Sequence, residues 1–95
     1  MKEITDEKLD KYFAITKEAL EMAKKSDNKL GMKEAREDFL DMIDRYVRDA
    51  EHFRKNNNYI NAFAALNYAH GWLDAGARIG LFDVKDSRLF TVDDE

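Results

Sequence analysis

The side chains best suited to chemistry in this sequence lie four residues apart, at His70, Asp74 and Arg78. On a helix, residues with this spacing lie one above another on the same side. A carboxylate beside an imidazole can orient the ring as a general base, although no serine or cysteine nucleophile accompanies the line. The spacing also suits a hydrogen-bonded histidine at the edge of a core. We therefore keep two interpretations of this line, a small-molecule site and a structural role.

Metal and cofactor binding receive less support from the sequence. A zinc site needs three or four ligands, and His70 with Asp74 supplies two. The other histidine, His52, maps to the outer side of the preceding predicted helix. The chain has no cysteine, so it has no thiolate ligand, no disulfide and no cysteine nucleophile. It also lacks a phosphate-binding loop and a dinucleotide fingerprint. We predict no metal, no cofactor and no catalytic residue.

One apolar segment, residues 59–82, carries the polar line and organises the rest of the chain. It holds the only tryptophan and three of the four glycines. Small and apolar residues recur in it at alternating spacings of three and four, which is the pattern of a helix seam that packs against its neighbours. The seam consists of Tyr59, Ala62, Leu66, Ala69, Leu73, Gly76 and Gly80.

The glycines of this segment require a structural explanation. In a helix interior, glycine destabilises the helix by about 1 kcal/mol relative to alanine. Gly80 sits where the helix should end in a left-handed cap. Gly71 and Gly76 lie inside the periodic pattern, so we expect close packing and a tight helix crossing there. The apolar arc covers more than half of the circumference. Such a helix is buried on two sides or offers one side to a partner.

Tyr68 is the strongest candidate for a contact residue. It projects roughly opposite the seam, close to Trp72 and to the small residues Ala64 and Ala75. Large aromatic residues with small neighbours form anchors or receiving pockets at protein interfaces. Alternatively, the first helix or the C-terminal tail covers this surface.

The remaining sequence predicts two more amphipathic helices. We place the three helices at about 5–25, 32–56 and 59–79, separated by a polar break ending in glycine and by three consecutive asparagines. Thr5 should cap the first helix. The prediction is an all-α, three-helix up-and-down bundle that forms a single domain over 1–95. A short tail, 81–95, follows, and its Leu89, Phe90 and Val92 are expected to fold back onto the bundle.

Composition narrows the class of protein further. Ninety-five residues make one domain, and a net charge of −4 argues against binding to nucleic acid. The first residues contain no apolar run of the signal-peptide kind, and no segment is apolar enough to cross a membrane. We predict a cytoplasmic protein, a location that the lack of cysteine also fits.

The segment 46–82 resembles a known family. The run from Tyr68 to Gly76, YAHGWLDAG, and the ending Gly80-Leu81-Phe82 are similar to the hallmark stretch of domain of unknown function 357, a small archaeal family. The resemblance implies a short, stand-alone cytosolic protein with a three-helix up-and-down bundle. It implies no known activity, cofactor or ligand, so no catalytic residue follows from it.

The main functional prediction is a non-enzymatic module for protein interaction or scaffolding, which includes self-association as a homodimer. The reason is that the third helix is too apolar for the few helices available to cover it. The alternative is a small-molecule binder or minor enzyme that uses the His70, Asp74 and Arg78 edge. The predicted interaction or ligand surface consists of Tyr68, His70, Trp72, Asp74 and Arg78.

Overall fold

The structure is a computed structural model that describes residues 3–29 and 31–92. The last three residues of the predicted tail therefore lie outside the described residues. The three helices are α1 (Asp6–Lys25), α2 (Lys33–Lys55) and α3 (Tyr59–Ile79), and the described residues contain no strand. The predicted all-α, three-helix fold is confirmed, with helix bounds that differ from the predicted ones by at most one residue.

Local signals set the helix ends. The Thr5 side chain accepts a hydrogen bond from the Lys8 amide at 3.1 Å and caps α1. Between α2 and α3, Asn57 has a φ of 58°, a left-handed conformation that asparagine tolerates better than most residues. Gly80 ends α3 with a φ of 90°, and the Leu81 amide donates back to the carbonyl of Gly76, which completes a Schellman motif.

The helices form two layers. Helices α2 and α3 make an antiparallel hairpin with the most extensive interface, and α1 packs on one face of it, mainly against α3. The body measures 44 × 27 × 17 Å, and its shortest dimension is less than two helix diameters of about 10–12 Å. One layer is therefore the hairpin, and the other consists of α1 and the tail.

The tail completes the hydrophobic core. Phe82 is the largest fully buried side chain, and it packs in one cluster with residues of all three helices. The expected folding back of Leu89 and Phe90 is confirmed, since each is 2% exposed, and Val92 is partly buried. The buried tail residues are Leu81, Phe82, Val84, Leu89 and Phe90. Without them, the end of the bundle between α1 and α3 would expose its apolar side chains to water.

Gly76 is buried, as the seam predicts, but its neighbour differs from the expected one. We expected a closely crossing helix. A Cβ atom added to Gly76 would instead lie 2.3 Å from Cε2 of Phe82. The missing side chain therefore makes room for an aromatic ring of the tail rather than for a helix backbone.

Arg36 ties the end of α1 to the start of the tail, a role that its position in the sequence does not signal. Its guanidinium donates to the carbonyls of Ala23 (3.0 Å), Lys24 (2.9 Å) and Leu81 (3.0 Å). It also lies over the Phe82 ring, 5.6 Å from the centroid. These carbonyls include C-terminal groups of α1 that have no partner within the helix. One cation thus caps α1 and holds the tail where it enters the core.

A polar cluster joins the start of α1 to the turn of the hairpin. Asp6 accepts hydrogen bonds from the Tyr59 hydroxyl and from the Arg54 guanidinium, which also pairs with Asp10 at 2.6 Å. The bond from Tyr59, followed by the bond from Arg54, lowers the pKa of the Asp6 carboxyl below its ordinary value. The folded protein therefore binds a proton at Asp6 less readily than the unfolded chain does.

This lowered pKa predicts a pH dependence of stability. A depressed folded-state pKa gives stability that is present above the ordinary aspartate pKa of about 3.9 and is lost as the pH falls through the folded value. In urea unfolding between about pH 6 and pH 2, the midpoint of the wild type should fall more steeply with acid than that of Asp6→Asn. Asp38→Asn, on the exposed side of α2, is the control. Equal acid slopes for wild type and Asp6→Asn would contradict the linkage.

Candidate functional site

The predicted polar line on α3 binds the backbone of the tail. The Thr91 amide donates to Oδ1 of Asp74 at 2.9 Å, and Nη1 of Arg78 donates to the Thr91 carbonyl at 3.2 Å. His70 donates from Nε2 to the carbonyl of Leu89, and its Nδ1 lies 3.5 Å from the hydroxyl of Thr16 on α1. The structure therefore brings the three predicted side chains together as a clamp on two tail residues.

The clamp is also partly shielded from solvent. The side chains of His70 and Asp74 are 23% and 27% exposed, with Nε2 and Oδ1 4.0 Å apart. Both ring nitrogens of His70 face protein atoms, the Leu89 carbonyl and the Thr16 hydroxyl.

Removing the Asp74 carboxylate is expected to loosen the tail. Asp74→Ala leaves the Thr91 amide without its acceptor, which should lower the free energy of unfolding by about 1 kcal/mol. Amide hydrogen exchange should rise in residues 83–92 well before it rises in α2. Asp41→Ala, which removes an exposed partner of Arg45, is the matched control and should leave the tail unchanged. Tail exchange that is equal in both variants would show that Asp74 does not hold the tail.

The described residues contain neither a metal-binding cluster nor a membrane-spanning helix. Residues 3–29 and 31–92 contain no group of three or more histidine, cysteine or acidic side chains placed to bind a metal ion. None of the helices in this part of the chain has the length and apolar character needed to cross a membrane.

The outer face of α3 differs in charge from every other exposed helix face. Ten of the eleven exposed residues of α1 are charged, Ala14 being the exception, and ten of the eleven on α2 are charged, His52 being the exception. On α3, eight of nine exposed residues are uncharged, and the ninth, Arg78, binds the tail. We define the outer face of α3 as Ile60, Asn61, Ala64, Asn67, Tyr68, Gly71, Ala75, Arg78 and Ile79.

Aromatic pairs line the junction of this face with α2. Tyr68 is 54% exposed and packs edge-on against Tyr46, with ring centroids 4.6 Å apart. Trp72 is half-buried and packs in the same way against Phe39 at 4.8 Å. Shallow depressions of about 340 and 490 Å³ flank the Tyr68 ring on its two sides. The hairpin thus presents a groove with an exposed aromatic ring at its centre.

Gly71 corrects the expectation of close packing. It is exposed, and an added Cβ would meet nothing within 4 Å. It lines the smaller depression beside Tyr68 and Trp72. The two interior glycines of α3 therefore serve different sides of the helix, Gly76 facing the tail and Gly71 facing the solvent.

Part of this surface is predictable from the sequence. Tyr68 was placed opposite the seam, where the structure has it, and Trp72 lies beside it. The full extent of the face was missed, because Ile60 was not considered and Gly71 was assigned to the interior. The scarcity of charge in this segment could have indicated the full face. From Tyr59 to Ala77 the only charged or ionisable side chains besides the tyrosines are His70 and Asp74.

The fold and site define a small helical bundle with a clamped tail and one helix face that is almost free of charge. The chain belongs to the family described as Protein of unknown function (DUF357), whose model matches residues 11–82. The matched segment contains α2, α3 and most of α1, and it ends at Phe82, the first large ring of the tail. No curated protein and no solved structure gives a significant match.

Proposed function

We propose that this protein is a non-enzymatic protein-interaction module that binds the weakly charged face of a partner's helix through the outer face of α3. The observation that carries the proposal is the contrast in charge between the helices, with eight of nine exposed residues uncharged on α3 against one of eleven on α1. A helix face that remained in water would gain solubility from charge, as α1 and α2 do.

The physical case rests on desolvation. Covering the outer face of α3 would remove apolar and amide groups from water and would reach a single charge, that of Arg78, which already donates to the tail. Stripping charges of their hydration is the expensive step in forming an interface, and this face largely avoids it. Tyr68 supplies a large ring with a polar tip, a residue type that is enriched at interfaces. The neighbouring groove beside α2 has the shape that receives an amphipathic helix. A cytoplasmic location in an archaeal host belongs to the same proposal, supported by the lack of cysteine and by the family resemblance.

A matched pair of substitutions tests this surface. Ala75→Glu places a carboxylate in the middle of the outer face, whereas Ala14→Glu makes the same change at an exposed alanine of α1. Tagged wild type and both variants would be used for capture from host cytosol, after circular dichroism has shown that all three are folded. Each captured protein would then be identified, purified and titrated against the three forms, with purified untagged protein included as a candidate partner.

We expect Ala75→Glu to weaken binding about tenfold or more, because it buries an unpaired charge at the interface. Ala14→Glu should change it less than about twofold. Equal binding by the two variants, for every partner including the protein itself, would overturn the proposal.

A further inference from the structure

The exposed apolar residues of α3 form a pattern that reads the same in both directions. They are Ile60, Ala64, Tyr68, Gly71, Ala75 and Ile79, with successive spacings of four, four, three, four and four. The outer residue types are symmetric too, with isoleucine at both ends and alanine inside each isoleucine, whereas the central pair joins a large ring, Tyr68, to a glycine, Gly71. Asn61 and Arg78 occupy symmetric positions in the same frame.

A two-fold axis through the middle of this pattern makes the face complementary to itself. Two copies of α3 would run antiparallel, with each residue opposite its symmetric counterpart in the other copy. Ile60 would face Ile79, Ala64 would face Ala75, and Tyr68 would face Gly71. The glycine has no atom within 4 Å of an added Cβ, so it offers open space to the opposing ring.

The sizes of these residues also suit two crossing helices. Crossed helices approach most closely at the centre, where Gly71 and the two alanines keep the backbones free to come together. They diverge toward the ends, where the exposed Ile60 (73%) and Ile79 (53%) are long enough to fill the wider gap.

We infer that the partner of the outer face of α3 is the same face of a second copy of this chain, packed antiparallel about a two-fold axis between residues 69 and 70. The inference rests on the proposed function and names its partner. Among the helices of residues 3–29 and 31–92, neither α1 nor α2 can take the place of α3, because ten of the eleven exposed residues on each of them are charged. Burying either face against Tyr68 and Gly71 would strip those charges of water.

Cysteine cross-linking tests both the dimer and its register, since the chain has no cysteine of its own. In the inferred dimer, residue 64 of one copy faces residue 75 of the other. A disulfide needs Cα atoms about 4.4–6.8 Å apart. Residues 64 and 75 of one chain are about 16 Å apart along the helix axis, since eleven helical residues separate them. In the antiparallel dimer the two copies of residue 64 would be separated by the same distance.

Under mild oxidation, an equimolar mixture of Ala64→Cys and Ala75→Cys should give a cross-linked heterodimer, and each variant alone should give little. Ala14→Cys, on the charged face of α1, is the control for random collisions. Cross-linking of either variant alone at the level of the mixture would overturn the antiparallel register. Cross-linking of the mixture at no more than the Ala14→Cys level would overturn the dimer.

Sedimentation equilibrium gives an independent measure. The wild type should dimerise, and Ala75→Glu should raise the dissociation constant about tenfold or more while Ala14→Glu leaves it unchanged. A wild type that stays monomeric up to about 1 mM, a limit of about 4 kcal/mol of binding free energy, would overturn the inference. The proposed function would survive that result if Ala75→Glu, but not Ala14→Glu, lost a different purified partner. Both would fail if neither variant changed any binding.

Discussion

Replacing Phe82 with alanine is expected to lower the free energy of unfolding by about 4 kcal/mol. The ring is 1% exposed, and it packs in the cluster that unites the tail with all three helices. The truncation removes buried apolar surface and leaves a cavity that the surrounding helices can only partly close. For a domain of this size, such a loss is a large share of the total stability.

The same ring makes Gly76 sensitive to an added methyl group. Gly76→Ala gains about 1 kcal/mol of helix propensity but forces its Cβ against the Phe82 ring, so we expect a net loss of about 1–2 kcal/mol. In the Phe82→Ala background the space is open, and Gly76→Ala should become stabilising. The two substitutions should therefore couple by about 2–3 kcal/mol in a double-mutant cycle.

Urea unfolding of the four forms, at a few micromolar protein to exclude any contribution from self-association, measures this cycle. Gly71→Ala is the matched control, because it makes the same change in the same helix where nothing lies within 4 Å. It should stabilise the protein by about 0.5–1 kcal/mol. Additive effects of Gly76→Ala and Phe82→Ala would mean that the ring does not occupy the space beside Gly76.

Loss of the Arg36 guanidinium should be nearly as damaging. Arg36→Leu removes the donor to the Ala23, Lys24 and Leu81 carbonyls, and we expect the free energy of unfolding to fall by about 3 kcal/mol. Arg36→Lys should recover less than half of the loss, because a single ammonium cannot reproduce the planar fork of the guanidinium.

Arg48→Leu on the same helix provides the comparison. Arg48 forms an exposed ion pair with Asp44 at 3.2 Å, so its loss should change stability by less than about 0.5 kcal/mol. Hydrogen exchange should also show the end of α1 and residues 81–92 opening together in Arg36→Leu. A stability loss no greater than that of Arg48→Leu would show that the bonds from Arg36 to the three carbonyls contribute little to stability.

The helix boundaries were predictable because their signals are local. Thr5 caps α1 through a bond to a residue three positions away, and Gly80 ends α3 through bonds within one turn. The seam of α3 was predictable for a similar reason, since the helical period alone decides which residues share a side. Neither inference needs knowledge of what the helix packs against.

The candidate site was only partly predictable. The period of α3 shows that Tyr68 lies opposite the buried seam, but it does not show whether another element covers that ring. The side chain stays 54% exposed because α1 and the tail both pack on the other face of the hairpin. Which face of the hairpin is covered depends on contacts with segments that are far away in the sequence. A local pattern of residues carries no information about those contacts.

The two interior glycines and the polar line mark what the sequence determined and what only the tertiary structure decided. The sequence determined that His70, Asp74 and Arg78 share one side of a helix, and that Gly71 and Gly76 lie within it. The docking of the tail decided the rest, because it placed three backbone groups of Leu89 and Thr91 against the polar line and an aromatic ring against Gly76. Gly71 received open space instead. Two residues of one type in one helix differ only through what lies across from them, and that depends on contacts between residues far apart in the chain.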